Sequence, residues 1–77
     1  MILKEIINID NEILNGTPVF KNTRVSIQTL FDYLEESSLE EFLKGHPSVT
    51  KAQAEKVIEF AGKLIHSIPL EYEDTTG

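Results

Sequence analysis

The residues that could act as nucleophiles or bases are Ser26, Ser37, Ser38 and Ser48 together with His46 and His66. Nucleophilic catalysis needs a hydroxyl within reach of an imidazole that a third group orients. Each of these serines instead stands where a helix would start or a turn would form. His46 precedes Pro47 and is suited to finishing a second helix, and His66 falls towards the end of a third, where a cationic ring favours the helix dipole. The histidines are twenty residues apart, with no further imidazole or carboxylate at ligand spacing, and cysteine is absent. Thiolate metal sites and disulfides are thereby excluded. The sequence predicts no enzyme, no metal and no cofactor.

What remains is recognition chemistry. Lys51, Gln53 and Lys56 open the longest helical stretch, and a glutamine amide can pair with an adenine edge while lysine meets phosphate or guanine. The same residues also fit a solvated helix face with ordinary pairs such as Lys51 with Glu55. Glu55 and Glu59 weigh against a phosphate nearby. Lys21 and Arg24 are the basic residues of the preceding extended region, beside Gly16, Thr17 and Thr23. They suit a phosphate or a partner carboxylate, with arginine the better bidentate donor. Equally, Arg24 could bridge to Asp32 or to a helix C-terminus. The net charge is −6. Setting aside Glu71, Glu73 and Asp74 leaves seven bases against ten acids, a balance of −3. DNA binding by counterion release normally shows a basic face, so this chain can offer only a local patch.

The elements that must position these groups fit one domain, residues 1–68, followed by an acidic stretch, 69–77, expected to be flexible on its own. A domain of 77 residues buries only about 60% of the surface its unfolded chain exposes, so self-association as a homodimer is the expected support. Ile2 to Asp10 is rich in isoleucine and free of Gly and Pro, which predicts a strand with apolar residues on both faces. Ile2, Ile6, Ile7 and Ile9 are the candidates for a dimer strand. Asn15-Gly16 and Lys21-Asn22-Thr23 predict turns, and Glu12 to Val25 a short hairpin or two bridged extended pieces.

Three helices follow. Ser26 can cap the first, whose Ile27, Leu30, Phe31 and Leu34 form one stripe and which should end near Glu36. Ser38 to Glu41 is a capping box, with Leu39, Phe42 and Leu43 buried and Gly45-His46-Pro47 as the stop. Thr50 to Gln53 is a second box, opening a helix with a stripe of Ala54, Val57, Ile58, Ala61, Leu64 and Ile65. Pro69 should end helical structure. A short helix, a Gly-containing turn and a longer capped helix is the spacing by which a helix-turn-helix domain presents its last helix to the major groove, although any three-helix bundle shares it. The expected fold is mostly α: a three-helix, helix-turn-helix core behind a short N-terminal strand or hairpin. With no membrane span and no leader, the cytoplasm is the expected location.

Residues 8–61 resemble the bacterial family known as domain of unknown function 433. The resemblance is carried by Ile9 through Val19, Thr23-Arg24-Val25, Leu34-Glu35, Ser38 through Leu43, Pro47 through Thr50, and Ala54 with Val57. Gly16, Pro18, Thr23 and Arg24 fall on the family's signature. Two positions depart from it: Asn22 stands where members usually carry Gly, and Glu36-Ser37 where a Gly often separates the first two helices. The resemblance implies a homeodomain-like helix-turn-helix fold and the role of an antitoxin that neutralises a PIN-like RNase toxin, with repression of its own operon through DNA. Such nucleases have basic RNA-binding surfaces, which Glu71, Glu73 and Asp74 could cover, with Tyr72 as an aromatic anchor. The alternatives are a DNA-binding regulator without a toxin and a plain oligomerisation module.

Overall fold

A computed structural model describes residues 3–67. Leu3–Glu5 forms a single 3₁₀ turn, after which strand β1, Ile7–Asn8, pairs antiparallel with β2, Val19–Phe20, in the register Ile7↔Phe20 and Asn8↔Val19. Helices α1 (Ile27–Glu36), α2 (Leu39–Gly45) and α3 (Lys51–His66) follow. The chain is therefore a three-helix protein with a short antiparallel strand pair at its N-terminal side.

The strand expected over Ile2 to Asp10 is much shorter, and its partner explains why. The pair after Asn8↔Val19 would set Ile9 against Pro18, which has no N–H to give to a ladder. At the other end the Lys21 N–H reaches the Ile6 carbonyl at 2.7 Å, and the chain then turns at Asn22, whose φ is 64°. Ile6 and Ile7 both pack against this chain's own core, while Ile9 is 65% exposed. The cover expected from a second copy is thus partly supplied from within. Ile2 lies outside the described residues.

The segment expected to be a short hairpin or two bridged extended pieces is the latter at its C-terminal end, where the Phe20 N–H donates to the Val25 carbonyl at 2.9 Å, and a separate turn at its start. Leu14–Gly16 is a left-handed turn, with Leu14, Asn15 and Gly16 at φ 48°, 55° and 85°. The bridged pieces are joined by the tight turn over residues 21–24. There the Thr23 hydroxyl donates to the Phe20 carbonyl at 2.9 Å and accepts from the Val25 N–H at 3.0 Å, and Val19 bridges to Ser26.

The helix starts follow from their caps. Ser26 accepts from the Thr29 N–H and Ser38 from the Glu41 N–H, each at 3.1 Å. No return bond from the Glu41 side chain forms among the described residues, so only the serine half of that box is made. At α3 both halves are present: the Thr50 hydroxyl accepts from the Gln53 N–H at 3.0 Å, and Gln53 Oε1 accepts from the Thr50 N–H at 2.9 Å.

The core is Phe20, Leu30, Phe42, Val49, Ala54 and Val57. Phe20, from β2, meets Phe42 of α2 at a ring-centroid distance of 6.1 Å. Tyr33 stands edge-on to Phe42 at 5.7 Å, and His46 stacks on Phe42 at 4.6 Å while its Nδ1 lies 2.9 Å from the Phe42 carbonyl. His46 thus closes α2 and roofs its main aromatic. The α3 stripe is buried only in its first half. Ala54 and Val57 are core, but Leu64 is 55% and Ile65 67% exposed. The cause is length: α3 has 16 residues against 10 in α1 and 7 in α2, so its last turns run past the helices that would cover them. Among the described residues no helix is long and apolar enough to cross a membrane.

Candidate nucleic-acid interface

Two segments that carry cations, distant in sequence, are joined at the start of α3. The link is Gln53, whose Nε2 donates to the Lys21 carbonyl at 3.3 Å across 32 residues of chain. Because Gln53 Oε1 is already taken by the Thr50 N–H, the side chain is fixed at both ends. It ties the turn that carries Lys21 and Arg24 to the first turn of the helix that begins with Lys51. Arg24 and Lys51 are exposed and Lys21 is half-buried. Among the described residues none of the three forms an ion pair.

The helix end adds to this charge. The first turn of α3 contains no acidic residue, whereas that of α2 contains Glu40 and Glu41. Free N–H groups and the partial positive charge of the dipole are therefore left facing solvent beside the cations. The first carboxylate along α3 is Glu55, one turn further on. The corner can attract a polyanion and donate several hydrogen bonds to it, and it holds no nucleophile with its base.

The residues expected at such a surface divide into three groups. The turn that carries Lys21 and Arg24 is held against the first turn of α3, which begins with Lys51. Gln53 joins them as the clamp rather than as a free amide, since both ends of its side chain are engaged within the chain. Lys56 turns away and pairs with Glu59 at 3.7 Å, and this pair forms in place of the expected one between Lys51 and Glu55. Arg24 makes no bridge to Asp32, which instead accepts from Gln28 Nε2 at 3.0 Å. The clamp itself was missed by sequence reasoning, although a glutamine at the third position of a capping box is a visible signal. Glu71, Tyr72, Glu73 and Asp74 lie outside the described residues.

The serines occupy structural posts: Ser26 and Ser38 are N-caps, Ser37 and Ser67 are the C-caps of α1 and α3, and Ser48 is in the turn before α3. His66 is in the last turn of α3. Among the described residues no three His, Asp or Glu side chains gather as a metal site.

The family described as "Protein of unknown function (DUF433)" matches residues 7–61. The chain belongs to this DUF433 family. The match takes in both strands, α1, α2, the clamp and the core half of α3, so the cationic corner lies wholly inside the family domain. Among curated proteins and among solved structures, no significant match to the chain was found.

Proposed function

We propose that this DUF433 protein is an antitoxin-type regulator: a homeodomain-like helix-turn-helix domain that contacts operator DNA through Lys21, Arg24 and Lys51, and an acidic segment, Glu71 to Asp74, that binds and neutralises a PIN-like RNase. The observation that supports the DNA half is the bond between Gln53 and the Lys21 carbonyl, because it holds the turn bearing Lys21 and Arg24 beside the start of α3 and Lys51 in a chain of net charge −6. The patch is small, so binding by the isolated chain is weak and falls steeply with salt. Support for the protein-partner half is the family resemblance and the acidic composition of residues 71–74. A basic nuclease surface complements that segment, and Tyr72 supplies a ring able to anchor it.

Co-expression with the product of the adjacent gene tests the neutralising role. The expected results are a complex that co-purifies and rescue of growth from the nuclease. No complex and undiminished toxicity would overturn that half, and a duplex from upstream of the gene that fails to shift at low salt would overturn the other. A second reading, an oligomerisation module, draws on the 65% exposure of Ile9 at the end of β1. Light scattering at micromolar concentration decides it, since a monomer there excludes it.

A further inference from the structure

Among the described residues, two adjoining apolar hollows are left on the surface. The first, about 460 Å³, lies between Ile27 and Phe31 of α1 and Phe60, Ala61 and Leu64 of α3. The second, about 530 Å³, is bounded by Leu3, Lys4, Ile9 and Lys21. Both are lined by Ile7 and Pro18, so they adjoin and together form a trough. The sequence has 13 acidic and 7 basic residues, yet the trough is lined by two lysines and no carboxylate. It is apolar where it meets the end of α3 and cationic at the far end.

We propose that this trough is the docking site of the chain's own residues 68–74, Ile-Pro-Leu-Glu-Tyr-Glu-Asp. Ile68, Leu70 and Tyr72 alternate with other residues, so an extended backbone sets all three on one side. The carboxylates Glu71, Glu73 and Asp74 come last, where the trough offers Lys4 and Lys21. Helix α3 is closed at Ser67, whose hydroxyl donates to the Leu64 carbonyl at 2.7 Å, and Pro69 cannot continue a helix interior. The segment therefore starts within one turn of Leu64, the near end of the trough. Seven extended residues reach roughly 23 Å at ~3.3 Å each, about twice the ~10 Å from Leu64 to Val57 along α3. A covalently attached segment also acts at a high effective concentration. A second copy presenting the same face would bring the same lysines and no carboxylate to answer them.

The chain has no cysteine, so Thr76→Cys gives a single attachment point for a nitroxide on the full-length protein. Methyl NMR spectra are compared with the label oxidised and reduced. The expected result is that the Leu3 and Ile7 methyl signals lose most of their intensity in the oxidised state, and recover it when Leu70→Asp is added. Unaffected Leu3 and Ile7 signals overturn the proposal. So does broadening that persists with Leu70→Asp, because the segment then sweeps past without docking. Broadening that appears only on mixing spin-labelled chains with separate isotope-labelled chains overturns it in favour of a second copy. The measurement uses the isolated chain, so its outcome is independent of the antitoxin reading.

Discussion

Asn22 and Gln53 hold the candidate interface in place by different means. Asn22 sits at φ 64°, a conformation that costs a β-branched residue more than 1 kcal/mol and glycine almost nothing. Asn22→Val is expected to lower stability by about 1–3 kcal/mol, and Asn22→Gly to leave it within about 0.5 kcal/mol, both read from urea midpoints. Gln53 accepts one hydrogen bond from the Thr50 N–H and donates one to the Lys21 carbonyl. Gln53→Ala removes both and should cost about 1–2 kcal/mol in the same assay. Thr50→Ala, which strips only the cap hydroxyl, should cost about 1 kcal/mol. A Gln53→Ala cost no larger than that of an ordinary surface substitution would deny the clamp. The turn at Asn22 and the capping box were legible in the residues, since each is a local pattern. The 32-residue reach from Gln53 to Lys21 was not, because periodicity and propensity carry no information about which distant carbonyl an amide meets.

At the scale of elements, the helices were readable because each announces its start with a Ser or Thr cap and its face with a 3.6-residue stripe. The strands were readable in place but not in length, because length is decided by the partner: Pro18 on one side and the turn at Asn22 on the other leave two pairs. Phe20 illustrates the same gap. It comes from a two-residue strand with no stripe of its own, yet it is fully buried against Phe42. Helix α3 carries a further lesson, since its stripe continues through Leu64 and Ile65 after α1 and α2 have ended. Phe42→Ala should cost about 3–5 kcal/mol, most of the stability available to a domain this small. Ile65→Lys, at a site 67% exposed, should change stability by no more than about 0.5 kcal/mol. Thermal melts of the two variants separate these cases, and a large loss in Ile65→Lys would mean that the second half of α3 is covered in solution.

For the whole molecule the governing fact is charge. A protein at −6 is repelled by DNA at long range, so binding depends on how its few cations are gathered and on what draws its carboxylates away. The turn that begins at Lys21 serves both features: its carbonyl is tied to α3 and its side chain lines the trough, so carboxylates docked there compete with DNA for Lys21. Residues 71–74 are claimed by the trough within the chain and by the nuclease in the proposed complex, so a partner that takes this segment would have to draw it from the trough. The central claim is that Lys21, Arg24 and Lys51 act on DNA as one patch. It is tested most directly by fluorescence anisotropy of a duplex from upstream of the gene, titrated with the full chain over a series of salt concentrations. The account predicts that log K falls with log salt, and that Lys21→Ala with Arg24→Ala reduces the slope by about two, close to one for each lost phosphate contact. Binding that is indifferent to salt, or a slope that the double variant leaves unchanged, would contradict it.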